Sequence, residues 1–193
     1  MKTLKLIAIV LVVIFVIIIG YGMTLSGESH LERSITINTP VEKVFKEVNT
    51  FTNIKDWSPW AKVDPETKYI YSGPDSGVGA KYDWESEDEN VGIGSQEILE
   101  SRENEYVKTQ MIFAIEGEFF AEFKLKPIDG GTEVTWTYDG KVYSFMWKFI
   151  MLGMESQLGP MYEQGLIDLK AYVESLPDPE PEAESAEGVS VEE

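Results

Sequence analysis

The feature that most constrains the fold is an amphipathic segment near the C-terminus, residues 159–176, with the sequence GPMYEQGLIDLKAYVESL. Its apolar residues recur at spacings of three and four, the period of one helical face: Met161, Tyr162, Leu166, Leu169, Tyr172, Val173 and Leu176. We expect the opposite face to be in solvent, with Glu163, Asp168, Lys170 and Glu174. Gly159 and Pro160 predict the helix start, because proline is tolerated at the first helical position, and Pro177 predicts the end. Such a helix requires an apolar surface to pack against.

The central part of the chain supplies that surface, because apolar and polar residues alternate there with a period of two. Short turns rich in Gly, Asp and Asn separate the alternating segments. The predicted strands are residues 69–71, 81–85, 91–101, 106–115, 118–127 and 132–138. One face of each strand is apolar and the other polar, as in an antiparallel sheet that is covered on a single side. The fold class is therefore α+β.

A strand and two helices are predicted before this sheet. Residues 32–37 alternate and are rich in β-branched residues, which favours a first strand. Thr39, Pro40 and Glu42 have the spacing of a capping box, so they predict a helix that runs to about Val48. A second short helix is predicted over residues 51–56, and residues 145–154 form a further helical segment before the last helix.

The N-terminus carries a long apolar segment, residues 6–23, whose length of about 27 Å in a helix is close to that of a bilayer core. Lys2 and Lys5 precede it, and by the positive-inside rule they place the N-terminus in the cytoplasm. We therefore expect a single-pass membrane protein whose domain lies on the periplasmic or extracellular side. A signal peptide has a similar pattern, so secretion after cleavage is the alternative.

Composition excludes several functions. The chain has no cysteine, which removes thiolate catalysis, disulfides and zinc–sulfur sites. Its one histidine, His30, falls in the predicted linker, where it cannot serve a Ser-His centre inside the fold. The net charge of −18 disfavours nucleic acid, because such binding depends on phosphate neutralisation. No cofactor is predicted.

Two acidic segments are interpreted as solvated. The cluster Asp83, Glu85, Glu87, Asp88 and Glu89 lacks the spacing of a calcium loop, so no metal site is predicted. The terminal segment, residues 177–193, is acidic and free of aromatic residues, which predicts disorder. The expected organisation is a membrane anchor or signal peptide at 1–23, a linker at 24–31, one domain at 32–176 and a tail at 177–193.

The order of these elements, and four motifs, resemble a known superfamily. The motifs are INTPVEKVF at residues 37–45, WSPW at 57–60, Gly77 to Gly79 with the YDW strand at 82–84, and GLIDLK at 165–170. The sequence is similar to the polyketide cyclase/dehydrase-like branch of the START/Bet v 1 (SRPBCC) superfamily. This resemblance implies a helix-grip fold, in which a curved antiparallel sheet wraps around a long C-terminal helix. It also implies an apolar cavity between them that binds lipids, polyketides or other hydrophobic molecules.

The residues themselves support a cavity, because many large, adaptable side chains occupy inward positions. Methionine repacks easily, and Tyr and Trp combine an apolar body with one polar group, which suits a mostly hydrocarbon ligand. The predicted pocket residues are Trp57, Trp60, Tyr82, Trp84, Met111, Phe113, Phe119, Phe123, Trp136, Tyr138, Met154, Met161 and Tyr162. For any single residue, simple packing in a filled core is the alternative. We interpret residues 57–60 as the pocket rim, held extended by Pro59, or else as a plug between helix and sheet.

The sequence therefore predicts a membrane-tethered domain that binds a hydrophobic small molecule or lipid. The alternatives are a cyclase-like, dehydrase-like or hydrolase-like enzyme in the same cavity and a plain interaction module. The resemblance transfers no catalytic residue, and no inward carboxylate pair is evident. Asp83 and Glu97 are the least implausible acids for catalysis, and neither is favoured.

Overall fold

The computed structural model describes residues 2–177, so the predicted tail lies outside the described residues except for Pro177. The helices are α1 (Lys2–Thr24), α2 (Val41–Val48), α3 (Ile54–Trp57), α4 (Pro59–Val63), α5 (Phe145–Met151) and α6 (Met154–Ser175), with a 3-10 turn at Phe51–Asn53. The strands are β1 (Glu28–Ile37), β2 (Lys68–Ser72), β3 (Lys81–Glu85), β4 (Ile93–Arg102), β5 (Tyr106–Phe113), β6 (Gly117–Ile128) and β7 (Gly131–Val142).

The seven strands form one antiparallel sheet in the order β1-β7-β6-β5-β4-β3-β2. The first strand therefore pairs with the last, and the remaining strands follow as a meander. Alternation decides which face is inward: in β7, Val134, Trp136 and Tyr138 are buried, while Glu133 and Thr135 on the other face are half-buried. Thr137 on that other face is also buried. The α+β, helix-grip architecture expected from the sequence is confirmed.

Helix α6 lies across the inner face of the sheet. Leu166, Leu169 and Val173 are almost completely buried, and α6 packs mainly against β1. Gly165 is required for this approach, since a Cβ there would lie 2.7 Å from Cζ3 of Trp136. The predicted stripe of apolar residues is therefore the surface that closes one half of the core.

The start of α6 differs from the sequence prediction. The helix begins at Met154, five residues before Gly159, and Pro160 lies inside it. Proline removes one backbone hydrogen bond in a helix interior, but Met154 and Leu158 pack against the core, and this burial maintains the first turn. Asp168, predicted to face solvent, is buried instead. Its Oδ1 accepts from Lys62 at 2.6 Å and from Gln164 at 3.0 Å, and these contacts compensate the buried charge.

The predicted linker, residues 24–31, is shorter than expected. Helix α1 extends to Thr24 and β1 begins at Glu28, because β1 pairs with β7 as far as Lys141. His30 is consequently a strand residue. It remains exposed, and its Nδ1 lies 2.7 Å from Oδ1 of Asp139 on β7.

The predicted capping box is wrong. Helix α2 begins at Val41 with Pro40 as the N-cap, and no side chain caps it. Thr39 is buried instead, and its carbonyl accepts a 2.8 Å hydrogen bond from the Thr132 hydroxyl on β7. This contact joins the strand-to-helix turn to the sheet.

Helix α1 spans 23 residues and has a mean hydropathy of 3.1 over its most apolar window. Within residues 2–177 it is the one helix long and apolar enough to cross a membrane, although a signal sequence has the same properties. The C-terminal end of α1 contacts α5, where the rings of Tyr21 and Phe149 lie 6.3 Å apart.

Candidate functional site

A cavity of about 230 Å³ lies between the inner face of the sheet and the helices that cover it. Strands β2 to β7 form its floor, and α2, α3, α4 and α6 form its roof. The lining residues are Glu47, Val48, Thr50, Phe51, Ile54, Trp57, Ser58, Trp60, Tyr69, Tyr82, Trp84, Asn90, Val91, Gln96, Thr109, Met111, Phe113, Ala121, Phe123, Trp136, Tyr138, Leu158 and Tyr162. Most of these side chains are aromatic or aliphatic.

Ten of the thirteen predicted pocket residues line this cavity. They are Trp57, Trp60, Tyr82, Trp84, Met111, Phe113, Phe123, Trp136, Tyr138 and Tyr162. Those on strands share one face of the sheet because side chains alternate along a strand. Whether they contact a ligand stays a prediction.

The other three predicted residues lie outside the lining. Phe119 is 2% exposed and packs edge-on behind Phe113, with ring centroids 5.2 Å apart. Met154 packs on the core at the start of α6. Met161, which precedes Tyr162 on α6, is half-buried and does not line the cavity.

Residues 57–60 are helical rather than extended. Trp57 ends α3, Pro59 begins α4, and Ser58 between them is the extended residue. Trp57 is 3% exposed, and its ring contacts those of Phe123 and Trp136 at 5.9 and 5.8 Å. Trp57 is therefore an inner wall residue, and only the half-buried Trp60 has the exposure that a rim requires.

An aromatic stack continues from this wall to α6. The rings of Phe123 and Trp136 are stacked at 5.0 Å, and Tyr162 lies 4.1 Å from Trp136. Aromatic pairs at such distances contribute about 0.5–1.5 kcal/mol each beyond the area they bury. They therefore give the cavity a fixed wall on the α6 side.

Polar groups form a short chain across the floor. The Tyr82 hydroxyl donates to Oε1 of Gln96 at 2.7 Å, and Nε2 of Gln96 donates to Oγ1 of Thr109 at 2.7 Å. Thr109 in turn donates to the Ala121 carbonyl at 3.2 Å. Of these three side chains, only Tyr82 was predicted from the sequence. Gln96 and Thr109 were missed because a polar residue at an inward strand position does not fit the apolar pattern of that face.

The tyrosines in the lining are uncharged at neutral pH. Burial raises the pKa of Tyr82 and Tyr162 well above the usual value, and the phenolates of neighbouring tyrosines raise both further. Burial, with the Asp139 carboxylate, raises the pKa of Tyr138 to about 12. These side chains therefore act as neutral hydrogen-bonding groups.

Two indole N–H groups distinguish the cavity chemically. Nε1 of Trp57 and Nε1 of Trp136 are buried and have no hydrogen-bond partner among residues 2–177. A buried donor without a partner costs about 1–3 kcal/mol. Because both residues line the cavity, a hydrogen-bond acceptor on a bound molecule can satisfy them.

Glu47 is the carboxylate that sequence reasoning missed. It is buried at the end of α2, lines the cavity, and accepts from Nδ2 of Asn53 at 2.7 Å. Its helical position, flanked by Lys46 and Val48, carries no signal of an inward charge. Asp83 and Glu97, by contrast, alternate with inward residues on β3 and β4 and do not line the cavity.

Across the described part of the chain, no three His, Asp or Glu side chains converge in the arrangement that a metal ion requires. The acidic residues 83–89 extend along the end of β3 and the turn that follows it. In this turn the Ser86 hydroxyl donates to Asp64 and accepts from the Asp88 amide, and the Asn90 amide donates to the Asp88 carboxylate. These hydrogen bonds organise the turn.

A family model described as polyketide cyclase / dehydrase and lipid transport matches residues 28–174. The chain belongs to this family, and the superfamily inferred from the sequence is confirmed. A comparison with curated proteins finds no match.

Solved structures with the same fold share little sequence with the chain. Protein CV1439 from Chromobacterium violaceum matches with a TM-score of 0.56 and 17% identity over 78% of this chain and 99% of that one. StfQ, a di-domain ARO/CYC protein of the steffimycin biosynthetic pathway, gives 0.58 and 8% over 77% of this chain and 51% of StfQ. The Aha1 dimer from Colwellia psychrerythraea gives 0.53 and 19% over 76% and 96%. At these identities the likeness concerns the fold.

Proposed function

We propose that this protein is a membrane-tethered binding or carrier domain for a hydrophobic small molecule or lipid. The observation that carries the proposal is the largely apolar cavity between the sheet and α6. The family's description, which includes lipid transport, supports it. Capture is reversible, and displacement of α6 or of the α3–α4 segment that carries Trp60 admits the ligand.

The cavity limits the ligand's size and chemistry. A dry cavity of about 150 Å³ accommodates benzene, and pockets for drug-sized ligands begin at about 300 Å³. At about 230 Å³ the cavity suits a one- or two-ring molecule or part of an acyl chain. The unpartnered indole N–H groups of Trp57 and Trp136 favour a ligand with a carbonyl, ether or carboxylate oxygen.

Helix α1 tethers the domain. Lys2 and Lys5 at its start support a domain on the periplasmic or extracellular side, by the positive-inside rule. Release after signal cleavage is the alternative. Partners are the membrane, through residues 1–23, and the ligand.

Native mass spectrometry of the purified protein, followed by solvent extraction and lipid analysis, tests the proposal. We expect one co-purifying apolar molecule, or stoichiometric uptake of an added apolar fluorescent probe. A matched pair of variants identifies the site. Ala121→Leu fills the cavity floor and should abolish uptake, whereas Ala171→Leu makes the same change on the exposed face of α6 and should not. Equal uptake by both variants would place the ligand elsewhere.

An enzyme is the second candidate, because Glu47 places one buried carboxylate in the lining. A cyclase-like, dehydrase-like or hydrolase-like activity needs an acid or base inside the cavity. A turnover screen with polyketide-like and ester substrates, repeated with Glu47→Gln, distinguishes an enzyme from a carrier. Activity lost in Glu47→Gln with probe uptake retained would favour the enzyme.

A further inference from the structure

Helix α5 exposes an apolar face that the cavity does not use. Met146, Trp147 and Ile150 lie on one side of α5, since Ile150 follows them at i+4 and i+3, and Tyr143 lies in the segment just before the helix. Their exposures lie between 37% and 70%, and Leu152 at the end of the helix is also exposed. Large apolar side chains grouped in this way mark an interaction surface rather than a random exposed residue.

The other sides of α5 hold it against the end of α1. Phe145 and Phe149 cover Gly22 of α1, where a Cβ would lie 2.7 Å from Cζ of Phe149 and closer still to the ring of Phe145. Met151 is buried in the core of the domain. Helix α5 is therefore wedged between the sheet domain and the point where α1 ends.

Lys148 strengthens this junction. Its Nζ donates to the carbonyl of Leu25 at 3.0 Å, just beyond the end of α1. The last carbonyls of a helix lack partners within it and carry partial negative charge, so a lysine there is favourable. The apolar face of α5 therefore keeps a defined position relative to α1.

The charge distribution is also unusual at α5. Between Asp139 and Glu155 the sequence contains no acidic residue, although the chain carries 34 Asp and Glu. Lys141 and Lys148 are the charged residues of this segment. Tyr143 keeps its hydroxyl in a 2.7 Å hydrogen bond to Glu118. Acids reach this segment only from other strands, as Glu118 at Tyr143 and as Glu28, whose carboxylate lies 2.9 Å from Lys141. Tyr and Trp side chains beside lysine are typical of the membrane–water interface.

The registers place this helix at the open end of the cavity. The strand pairs Glu28–Lys141, Gly117–Val142, Gly94–Phe113 and Glu85–Ile93 lie at the end of the sheet that α1 enters. The lining residues at that end are exposed or half-buried: Trp84, Asn90, Val91, Phe113 and Leu158. At the other end Val48 and Phe51 are buried, and Thr50 between them is half-buried.

We propose that the exposed face of α5 lies in the bilayer interface and holds the open end of the cavity against the membrane surface. This proposal rests on the proposed role of α1 as a tether. A lipid or apolar ligand then passes between bilayer and cavity over a short path. The bilayer is the occupant because the face is continuous with the end of the membrane helix.

The absence of cysteine permits a test by single-cysteine labelling of the full-length chain in phosphatidylcholine nanodiscs. An environment-sensitive fluorophore is attached at Met146→Cys. We expect a blue-shifted emission that loses about half its intensity to nitroxide lipids, because an interfacial helix is buried about 5–10 Å into the headgroup boundary. Val78→Cys is the matched control, since Val78 is 59% exposed in the β2–β3 turn at the opposite end of the sheet.

A third label at Val13→Cys, in the middle of α1, separates this proposal from the tether. Embedded label at Val13 with aqueous label at Met146 overturns the docking of α5 and leaves the tether intact. Aqueous label at both positions overturns the tether and the docking together. A blue shift at Met146 without lipid quenching indicates that protein, such as a second copy of the chain, covers the face, and this also overturns the proposal.

Discussion

The two halves of the inner face of the sheet differ in how completely they are covered. Under α6, Leu31 and Ile37 of β1, Val134 of β7 and Leu169 and Val173 of α6 are 0–2% exposed. On β3 to β5, Trp84, Met111 and Phe113 remain half-buried beside the cavity. We call these the closed half and the open half.

The side chains explain the difference. Aliphatic and β-branched residues fill the closed half, and such residues interdigitate at high density. Aromatic rings dominate the open half, where Trp84 contacts Phe113 and Tyr82 at 5.8 and 5.5 Å. Rings in edge-on and tilted contacts support each other and leave space between them and the roof. One half therefore stabilises the domain while the other provides the site.

The largest expected effect follows from replacing one apolar residue in each half. Leu169→Ala should lower the free energy of unfolding by about 2–5 kcal/mol, because it empties a fully packed position. Met111→Ala should cost less than about 2 kcal/mol, since Met111 already borders a void and loses fewer contacts. Urea unfolding followed by circular dichroism measures both. An equal cost for the two variants would show that the halves are packed alike.

Alkaline pH should destabilise the domain. Burial raises the pKa of Tyr82 in the open half and of Tyr162 on α6, whereas both ionise near 10 in the unfolded chain. Above pH 10 the unfolded state therefore binds fewer protons, and stability falls by about 1.4 kcal/mol per pH unit for each tyrosine. Below pH 10 this contribution is constant.

Urea unfolding between pH 9 and 11 measures this loss, and Tyr82→Phe is the control. That variant should lose stability less steeply than the unchanged protein above pH 10. Identical slopes would mean that the Tyr82 hydroxyl ionises equally in both states and that water reaches the open half.

The polar chain of the open half should contribute less. Gln96→Leu leaves the hydroxyls of Tyr82 and Thr109 without their 2.7 Å partner. We expect a loss of about 1 kcal/mol, the lower end for an unsatisfied group, because Gln96 is half-buried and water can replace it. Thermal unfolding measures the change, with Gln110→Leu on the opposite face of β5 as the control. A loss above about 3 kcal/mol would exclude access of water to the chain.

The smallest effect is expected at the border of the closed half. Nε of Arg33 lies 2.7 Å from Oε1 of Glu163, whose side chain is 59% exposed. Arg33→Gln should cost at most about 1 kcal/mol, and the difference should shrink at high salt. Urea unfolding at low and high salt tests this. A salt-independent loss would mean that Arg33 acts through packing.

Most of the fold could be predicted from local pattern. The strands of the meander lie within a few residues of their predictions, and residues 81–85 coincide with β3. Errors arose where tertiary contacts override local signals. Pro160 predicts a helix start, yet burial of Leu158 keeps the preceding turn helical, and pairing with β7 extends β1 back to Glu28.

The site was predictable only in part. Period-two alternation places Tyr82, Trp84 and Trp136 on the inner face, and they line the cavity. Alternation shows which face of the sheet a side chain occupies but not whether it borders the cavity. Phe119 is on the inner face, yet it packs behind Phe113. Glu47 was missed because a single glutamate in a short amphipathic helix is normally assigned to the exposed face, yet Glu47 is buried.

The sequence by itself determined the α+β fold and the presence of an apolar N-terminal helix, because these depend on periodicity and hydrophobicity along the chain. The family followed from the resemblance of four motifs and of the element order to a known superfamily. Only the tertiary structure decided which aromatic side chains border empty space and which are packed. It also decided that α5 adjoins the end of α1. These properties depend on distances between residues far apart in sequence, such as Gly22 and Phe149, and no local pattern encodes such distances.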